Sequence, residues 1–393
     1  MIRLSANTLH LELGGSTTFL LNLGGALRES GQELRVVSFG EVNEMEADFS
    51  KREIPVGRLD PRELIYEDRI LQAYRMTARW QPRAVIASLG SESFEVLRLA
   101  PPGVIRIGMI HSDDPAPYAL VSAYRPWLDV MVGVSKTIRD RLIAECKFSR
   151  SVYIPYGIQF APSRERAGRR AGEPLRLIYV GRMIETQKRV SRLADLARRL
   201  AAWALPFHFT FVGSGPELDG MRAALRDLPQ AKFPGDVPNQ RIPELLKEHD
   251  VFVLLSDFEG LPLSMLEAMG EGVVPVVSDL ESGIRDVVTG ATGVRVPVGD
   301  VGAAAAAIMA LAREPARLAA MAANAAQVAR EEYGAARMAR RYLDLIAEFP
   351  AATPNWPVKV SVPRPQGVRP GWLYQGLPRV GRRCIKWIGS RIS

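Results

Sequence analysis

The sequence predicts an α/β protein of two Rossmann-like domains facing each other across a cleft, and three observations predict it. Short apolar runs alternate with amphipathic stretches through the first 350 residues, the pattern of βαβ units on parallel sheets. The series is interrupted once, at 161–174, by APSRERAGRRAGEP, whose polar, charged, Gly- and Pro-containing composition reads as an interdomain linker. The chain has 393 residues, more than one core usually spans. The expected organisation is a first domain at 1–160, a second at 175–332, a helix at 333–349 placed to cross back, and a tail at 350–393.

The elements follow in order. Strand candidates in the first half are residues 2–6, 34–39, 84–88, 104–110 and 130–134. Between the first two lies STTFLLNLGGALRES, whose Phe19, Leu20, Leu23, Ala26 and Leu27 share one helical face. Gly24 and Gly25 lower helix propensity there, so a close helix–sheet contact is their expected role. The second half opens with strand LRLIYVG, helix QKRVSRLADLARRLAAW, strand FHFTFVG and helix PELDGMRAAL. After IPELLKEHD come the strands VFVLL and VVPVVS, then Ala-rich helices over 301–349.

Bulk composition narrows the class. Hydrophobic content of 47% and charged content of 24% are those of an ordinary soluble protein. The two cysteines, Cys146 and Cys384, cannot build a disulfide framework, and no Cys/His cluster has zinc spacing, so a reducing compartment is expected. MIRLSANTLH lacks the apolar core of a signal peptide, and no run approaches membrane-spanning length. A cytoplasmic location is the expectation. Net charge is +8, carried by eight basic residues of the tail, which has no Asp or Glu from Ala351 to Ser393; the preceding residues balance at 43 basic against 43 acidic.

Open parallel sheets bind ligands beyond the carboxyl ends of their strands, so residues just after strands are the candidates. In YVGRMIETQKRV, Arg182 follows a strand and Lys188 opens the next helix, a cationic pair suited to a diphosphate. In FVGSGPELDG, Gly213 and Gly215 flank a strand-to-helix turn; either a ligand's close approach or plain sterics accounts for them. The same two readings apply to Gly14 and Gly15 before the first helix. VFVLLSDFEGLPLSMLEAMG places Glu259 in a loop and Glu267 on the polar side of a short helix. First-turn amides of that helix can hold phosphate, Glu259 can reach outward to sugar hydroxyls, and Glu267 can accept two hydroxyl hydrogen bonds from a ribose. The bland alternative for both glutamates is solvation.

From 175 to 300 the chain resembles the retaining glycosyltransferases of the GT-B fold marked by an E-x7-E motif (glycosyl transferases group 1, family 4). The resembling pieces are GR-x5-K at Arg182 to Lys188, VGSGPE, FPGDVP, SDFEGLPLSMLEAM, VVPVVSDLESGIRDVV and GVRVPVGD, in that order. GGSTTFLLNLGGAL, IGMIHSDDP and DVMVGVSKTIRDRL extend it more loosely to the first half. The resemblance implies that Arg182 and Lys188 bind the donor diphosphate, Glu259 the transferred sugar, and Glu267 the nucleotide ribose. Backbone around Gly260, Leu261, Pro262 and Leu263 would hold sugar and phosphate, and His111 would face the donor sugar from the first domain. Two departures stand out: Arg and Lys are one residue further apart than in many members, and Arg285–Asp286 stands where proline and glutamate are common.

The activity implied is retaining transfer of a hexose from a UDP- or GDP-sugar to a glycan, lipid-linked or small-molecule acceptor, in cell-surface polysaccharide or glycoconjugate synthesis. No cofactor beyond the nucleotide-sugar co-substrate and no essential metal are expected, and Asp113–Asp114 reads as a solvated loop pair. The alternatives on the same architecture are a nucleotide-sugar epimerase and a non-catalytic nucleotide-sugar-binding protein. Outside the resemblance, LPRVGRRCIKWIGSRI taken as a helix segregates apolar from basic residues, which suits an anionic membrane surface on the inner face of the membrane. TPNWPVKVSVPRPQGVRPGW upstream reads as an extended arm, and the neutral body argues against nucleic acid as a partner.

Overall fold

The computed structural model describes residues 1–59, 64–162 and 172–362. The chain forms two compact units. The first comprises Met1–Val134, Ile138–Gly157 and the chain from Ala335 onward; the second comprises Ser135–Thr137 and Ile158–Gly334.

In the first unit the strands are β1 (Arg3–Thr8), β2 (Glu33–Ser38), β3 (Val56–Arg58), β4 (Ala84–Ala87), β5 (Ile105–Ile110), β6 (Val130–Gly133) and β7 (Ser151–Tyr153). They pair in the order β3-β2-β1-β4-β5-β6-β7, every pair parallel. The second unit holds β8 (Leu175–Val180), β9 (Phe207–Val212), β10 (Ala231–Gly235), β11 (Val251–Leu254), β12 (Val274–Ser278) and β13 (Val294–Val296). Its order is β10-β9-β8-β11-β12-β13, again all parallel. Parallel strands covered by helices on both faces must be apolar throughout, and β4, β6, β11 and β12 are buried at every residue. Strand order reverses between β1 and β4 in one sheet and between β8 and β11 in the other. Ligand sites are therefore expected outside the carboxyl ends of those strands.

The two sheets share a device at their amino edges. Arg106, early in β5, donates from its backbone N, Nε and Nη2 to Asp129, just before β6. Arg176, early in β8, does the same to Asp250, just before β11. Each fork pins the start of one strand to its neighbour and leaves the opposite edge for function.

Two elements differ from the sequence expectation. The single helix expected from Gln187 onward is two pieces, Glu185–Lys188 and Val190–Ala202, because Arg189 between them is left-handed at φ 49°. Residues 350–362, which follow the last helix, have no regular secondary structure and lie on the first unit. Helix Ala335–Ala347 packs on helix Gly15–Glu29, and Arg83 donates to the carbonyls of Phe349 and Pro350. Trp356 is buried with its ring 5.4 Å from that of Tyr74, whose hydroxyl donates to the Pro357 carbonyl at 2.9 Å. The amphipathic stretch at 377–392 lies outside the described residues.

Candidate functional site

In the second unit, the carboxyl end of β8 delivers Gly181 and Arg182. Gly181 has no room for a side chain, since a Cβ there would sit 2.8 Å from the Tyr179 hydroxyl. That hydroxyl donates to the Arg182 carbonyl at 2.7 Å and fixes the turn, leaving the Arg182 side chain exposed. Sterics alone are enough to require glycine at Gly213 and Gly215. Both have positive φ, and a Cβ on either would strike backbone, the Gly181 carbonyl at 2.1 Å or the Met183 carbonyl at 2.4 Å. These glycines let the loop after β9 close on the loop after β8, with Met183 N donating to Ser214 O at 2.7 Å.

Lys188 ends the one-turn helix rather than opening the long one, and this turns it toward the loop after β11. Its ammonium bonds Glu259 at 2.6 Å, with the two side chains 14% and 6% exposed. Gln187 Nε2 adds a longer contact to Glu259 at 3.4 Å. Glu259 therefore does not point outward as the sequence suggested; it is buried against Lys188. The cause is local. The Asp257 amide donates to Gln187 O at 3.0 Å, and Gln187 Nε2 donates to Phe258 O at 3.2 Å, so one backbone and one side-chain hydrogen bond join the two loops.

Beyond Glu259 the chain turns through Gly260, Leu261 and Pro262 into helix Leu263–Gly270, whose amino end carries no side-chain cap. First-turn amides of a helix have no intrahelical acceptor, so this end can bind an anion. Gly260 O accepts from Gly283 N at 2.7 Å, and the absence of a side chain at Gly283 permits that approach. Six of its eight residues, Leu263, Met265, Leu266, Ala268, Met269 and Gly270, are buried, and only Ser264 and Glu267, one turn apart, are partly exposed. Glu267 is partly buried among them, and burial alone raises its carboxyl from the usual 4.5 to about 7. Glu267 is thus only partly solvated, and the buried ion pair excludes the solvated alternative for Glu259.

In the first unit His111 follows β5 directly. Its Nε2 lies 2.7 Å from Ser88 Oγ and its Nδ1 2.6 Å from the Tyr156 hydroxyl. Burial pushes its pKa down to about 3, so the ring is neutral at physiological pH. Gly14 precedes helix Gly15–Glu29 in extended conformation with open space at its Cβ, and no side chain caps that helix. No steric need accounts for a glycine at Gly14. Asp113 and Asp114 are not merely solvated. Asp113 accepts from the Tyr118 hydroxyl at 2.5 Å and from Arg141 at 2.6 Å, while Asp114 caps helix Pro115–Tyr124 by accepting from Ala116 N at 3.2 Å. Among the described residues no group of three or more His, Cys, Asp or Glu is placed to hold a metal ion.

The sequence and the fold have known counterparts. Residues 174–314 match the family described as Glycosyl transferases group 1, and residues 13–161 match Glycosyltransferase Family 4. The chain belongs to the GT-B glycosyltransferases. Among relatives of this GT-B chain, a Salmonella typhimurium protein named for colanic acid biosynthesis is 28% identical over 58% of this chain and 61% of its own length. The lipopolysaccharide 1,6-galactosyltransferase of the same organism is 31% identical over 41% of this chain and 46% of its own. The chain thus spans about half to three fifths of the length of these curated relatives. An Anabaena protein solved with UDP and glucose superposes with TM-score 0.73 at 14% identity, covering 89% of this chain and all of that one. The Staphylococcus aureus protein TarM, solved as a mutant with UDP, gives 0.72 at 13% identity, covering 88% of this chain and all of that one. At such identities the likeness speaks for the fold alone.

Proposed function

We propose that this GT-B protein transfers a hexose, with retention, from a UDP- or GDP-sugar to a glycan, lipid-linked or small-molecule acceptor in cell-surface polysaccharide or glycoconjugate synthesis. The observation that carries the reading is the convergence at the carboxyl ends of β8 and β11. There the buried Lys188–Glu259 pair joins the loops after the two strands, Arg182 stands exposed in the first, and the second leads into an uncapped helix that carries Glu267. The relatives' names, for colanic acid and lipopolysaccharide, support a polymer or lipid-linked acceptor. The neighbours solved with UDP support a nucleotide donor.

In the proposed reaction the anomeric C–O bond to the diphosphate breaks and the bond to the acceptor oxygen forms on the same face. The acceptor's proton passes to an oxygen of the departing phosphate, so no enzyme nucleophile is consumed. Negative charge grows on the diphosphate, where Arg182, Lys188 and the first-turn amides of Leu263–Gly270 would meet it. Glu259, already engaged by Lys188, is suited to sugar hydroxyls rather than to attack on carbon. Glu267 would accept from the ribose hydroxyls, which favours its ionised form. His111, neutral and hydrogen-bonded on both nitrogens, would contact the sugar as an uncharged ring unless it exchanged Ser88 or Tyr156 for a sugar hydroxyl. Metal independence is part of the proposal, because side chains and a helix end supply the positive charge.

The tail completes the reading. No helix among the described residues is long and apolar enough to cross a membrane. The basic, Trp-containing sequence at 377–392 suits peripheral contact with an anionic bilayer. A panel of UDP- and GDP-sugars screened by thermal shift, then assayed with lipid-linked acceptors, tests the whole. Retention appears as an unchanged anomeric configuration in the product by NMR. Inversion contradicts the mechanism, and isomerised donor in the absence of acceptor replaces it with epimerase chemistry.

A further inference from the structure

Lys188 and Glu259 come from different loops, and another set of contacts holds those loops in register. Asp257, two residues before Glu259, receives an ion pair from Arg189 Nε, adjacent to Lys188, and another from Arg192 at 2.6 Å. Arg192 also donates to Leu255 O at 2.9 Å, and Glu185 accepts from Ser191 N and Oγ at 3.1 and 2.6 Å. Asp257 is opposed by burial, yet the two guanidinium groups hold its carboxyl below the usual range. Arg189 makes its contact from a left-handed conformation, φ 49° and ψ 51°, that non-glycine residues rarely adopt. That conformation breaks the helix and sends Arg189 to Asp257 while its neighbour Lys188 reaches Glu259. Backbone strain kept at such a place persists where surrounding contacts over-determine it.

We propose that Asp257, with Arg189 and Arg192, is a positioning clamp that sets the Lys188 ammonium and the Glu259 carboxylate for transfer, without itself touching the donor. The inference rests on the donor-site reading above and adds residues to it. A misplacement of about 1 Å in a reacting constellation can cost on the order of a hundredfold in rate. Loss of the clamp should therefore appear in kcat, while the nucleotide keeps its contacts with Arg182 and Glu267.

Two variants test this. Arg189→Gly removes the ion pair but accepts the left-handed backbone, so the fold is kept; Asp257→Asn removes the charge from the other side. Each should lower kcat by about tenfold or more and change the Kd for UDP or GDP by less than about threefold. The double variant should be no slower than the worse single variant, because one clamp is broken in all three. Asp257→Glu should recover part of the rate. Wild-type kcat in folded Arg189→Gly, or multiplicative losses in the double variant, overturns the clamp. Lys188→Met and Glu259→Gln run alongside: wild-type rates in these mean that the donor-site reading has failed. Losses in these two with none in the clamp variants overturn this inference alone.

Discussion

Replacing Lys188 by methionine isolates the energetic centre of the site. Methionine keeps most of the aliphatic stem and deletes the ammonium, so the change is mainly one of charge. Glu259, only 6% exposed, is then left with Gln187 at 3.4 Å as its nearest donor. Removing one partner of a buried pair costs about 3–5 kcal/mol, and the surviving Gln187 contact argues for the lower end. At about 2–4 °C per kcal/mol for a unit of this size, 3 kcal/mol lowers Tm by roughly 6–12 °C. Lys188→Met/Glu259→Gln removes both charges and should recover about 2 kcal/mol relative to the sum of the single changes, because no carboxylate remains buried alone. The assay is urea denaturation of wild type, both single variants and the double variant at neutral pH. Additivity within about 0.5 kcal/mol would show that the pair is not coupled, and the reasoning would be wrong.

The other expectations are as follows. Arg182→Ala should lower turnover by at least about tenfold with Tm unchanged, since the exposed side chain carries no packing; wild-type kinetics would remove Arg182 from the site. Glu267 binds its proton more tightly folded, near pH 7, than at its usual 4.5, so stability is lost as pH rises through that window. Glu267→Gln should therefore gain on wild type in denaturation midpoint between about pH 5 and pH 8, and a pH-independent difference would contradict this. Extensive chelation should leave the rate nearly unchanged; abolition rescued by magnesium or manganese would return attention to Asp113. A chain ending at Val362 should lose binding to anionic vesicles and keep its Tm, whereas ending at Phe349 should also lower Tm by removing Trp356 from Tyr74. Equal sedimentation of full-length and shortened protein would leave the tail without a membrane role.

The central strands were legible because burial on both faces demands unbroken apolar runs, as in VFVLL and VVPVVS. β3 and β7 were not, being three-residue edge strands with half-exposed side chains and no such run. The break at Arg189 carries no Gly or Pro to announce it; it goes with an ion pair to a distant loop, and sequence spacing does not reveal distant loops. The same applies to the site. Arg182 was readable as a strand-end residue, and Lys188, Glu259 and Glu267 as members of an ordered motif series. That Glu259 turns inward and that helix Leu263–Gly270 is buried around Glu267 depends on tertiary packing. The available signal for the clamp was an excess of charge, Arg189 and Arg192 beside Lys188 and Asp257 beside Glu259, which reads as solvation until the loops are seen together.

The central claim is that a nucleotide-sugar donor sits at the carboxyl ends of β8 and β11. Hydrogen–deuterium exchange with and without saturating UDP, or GDP where that binds better, tests it directly. The account predicts new protection concentrated in peptides covering 181–190 and 258–268, with the helix Leu263–Gly270 amides slowed most at its amino end. Measured binding with protection confined to other segments would contradict it.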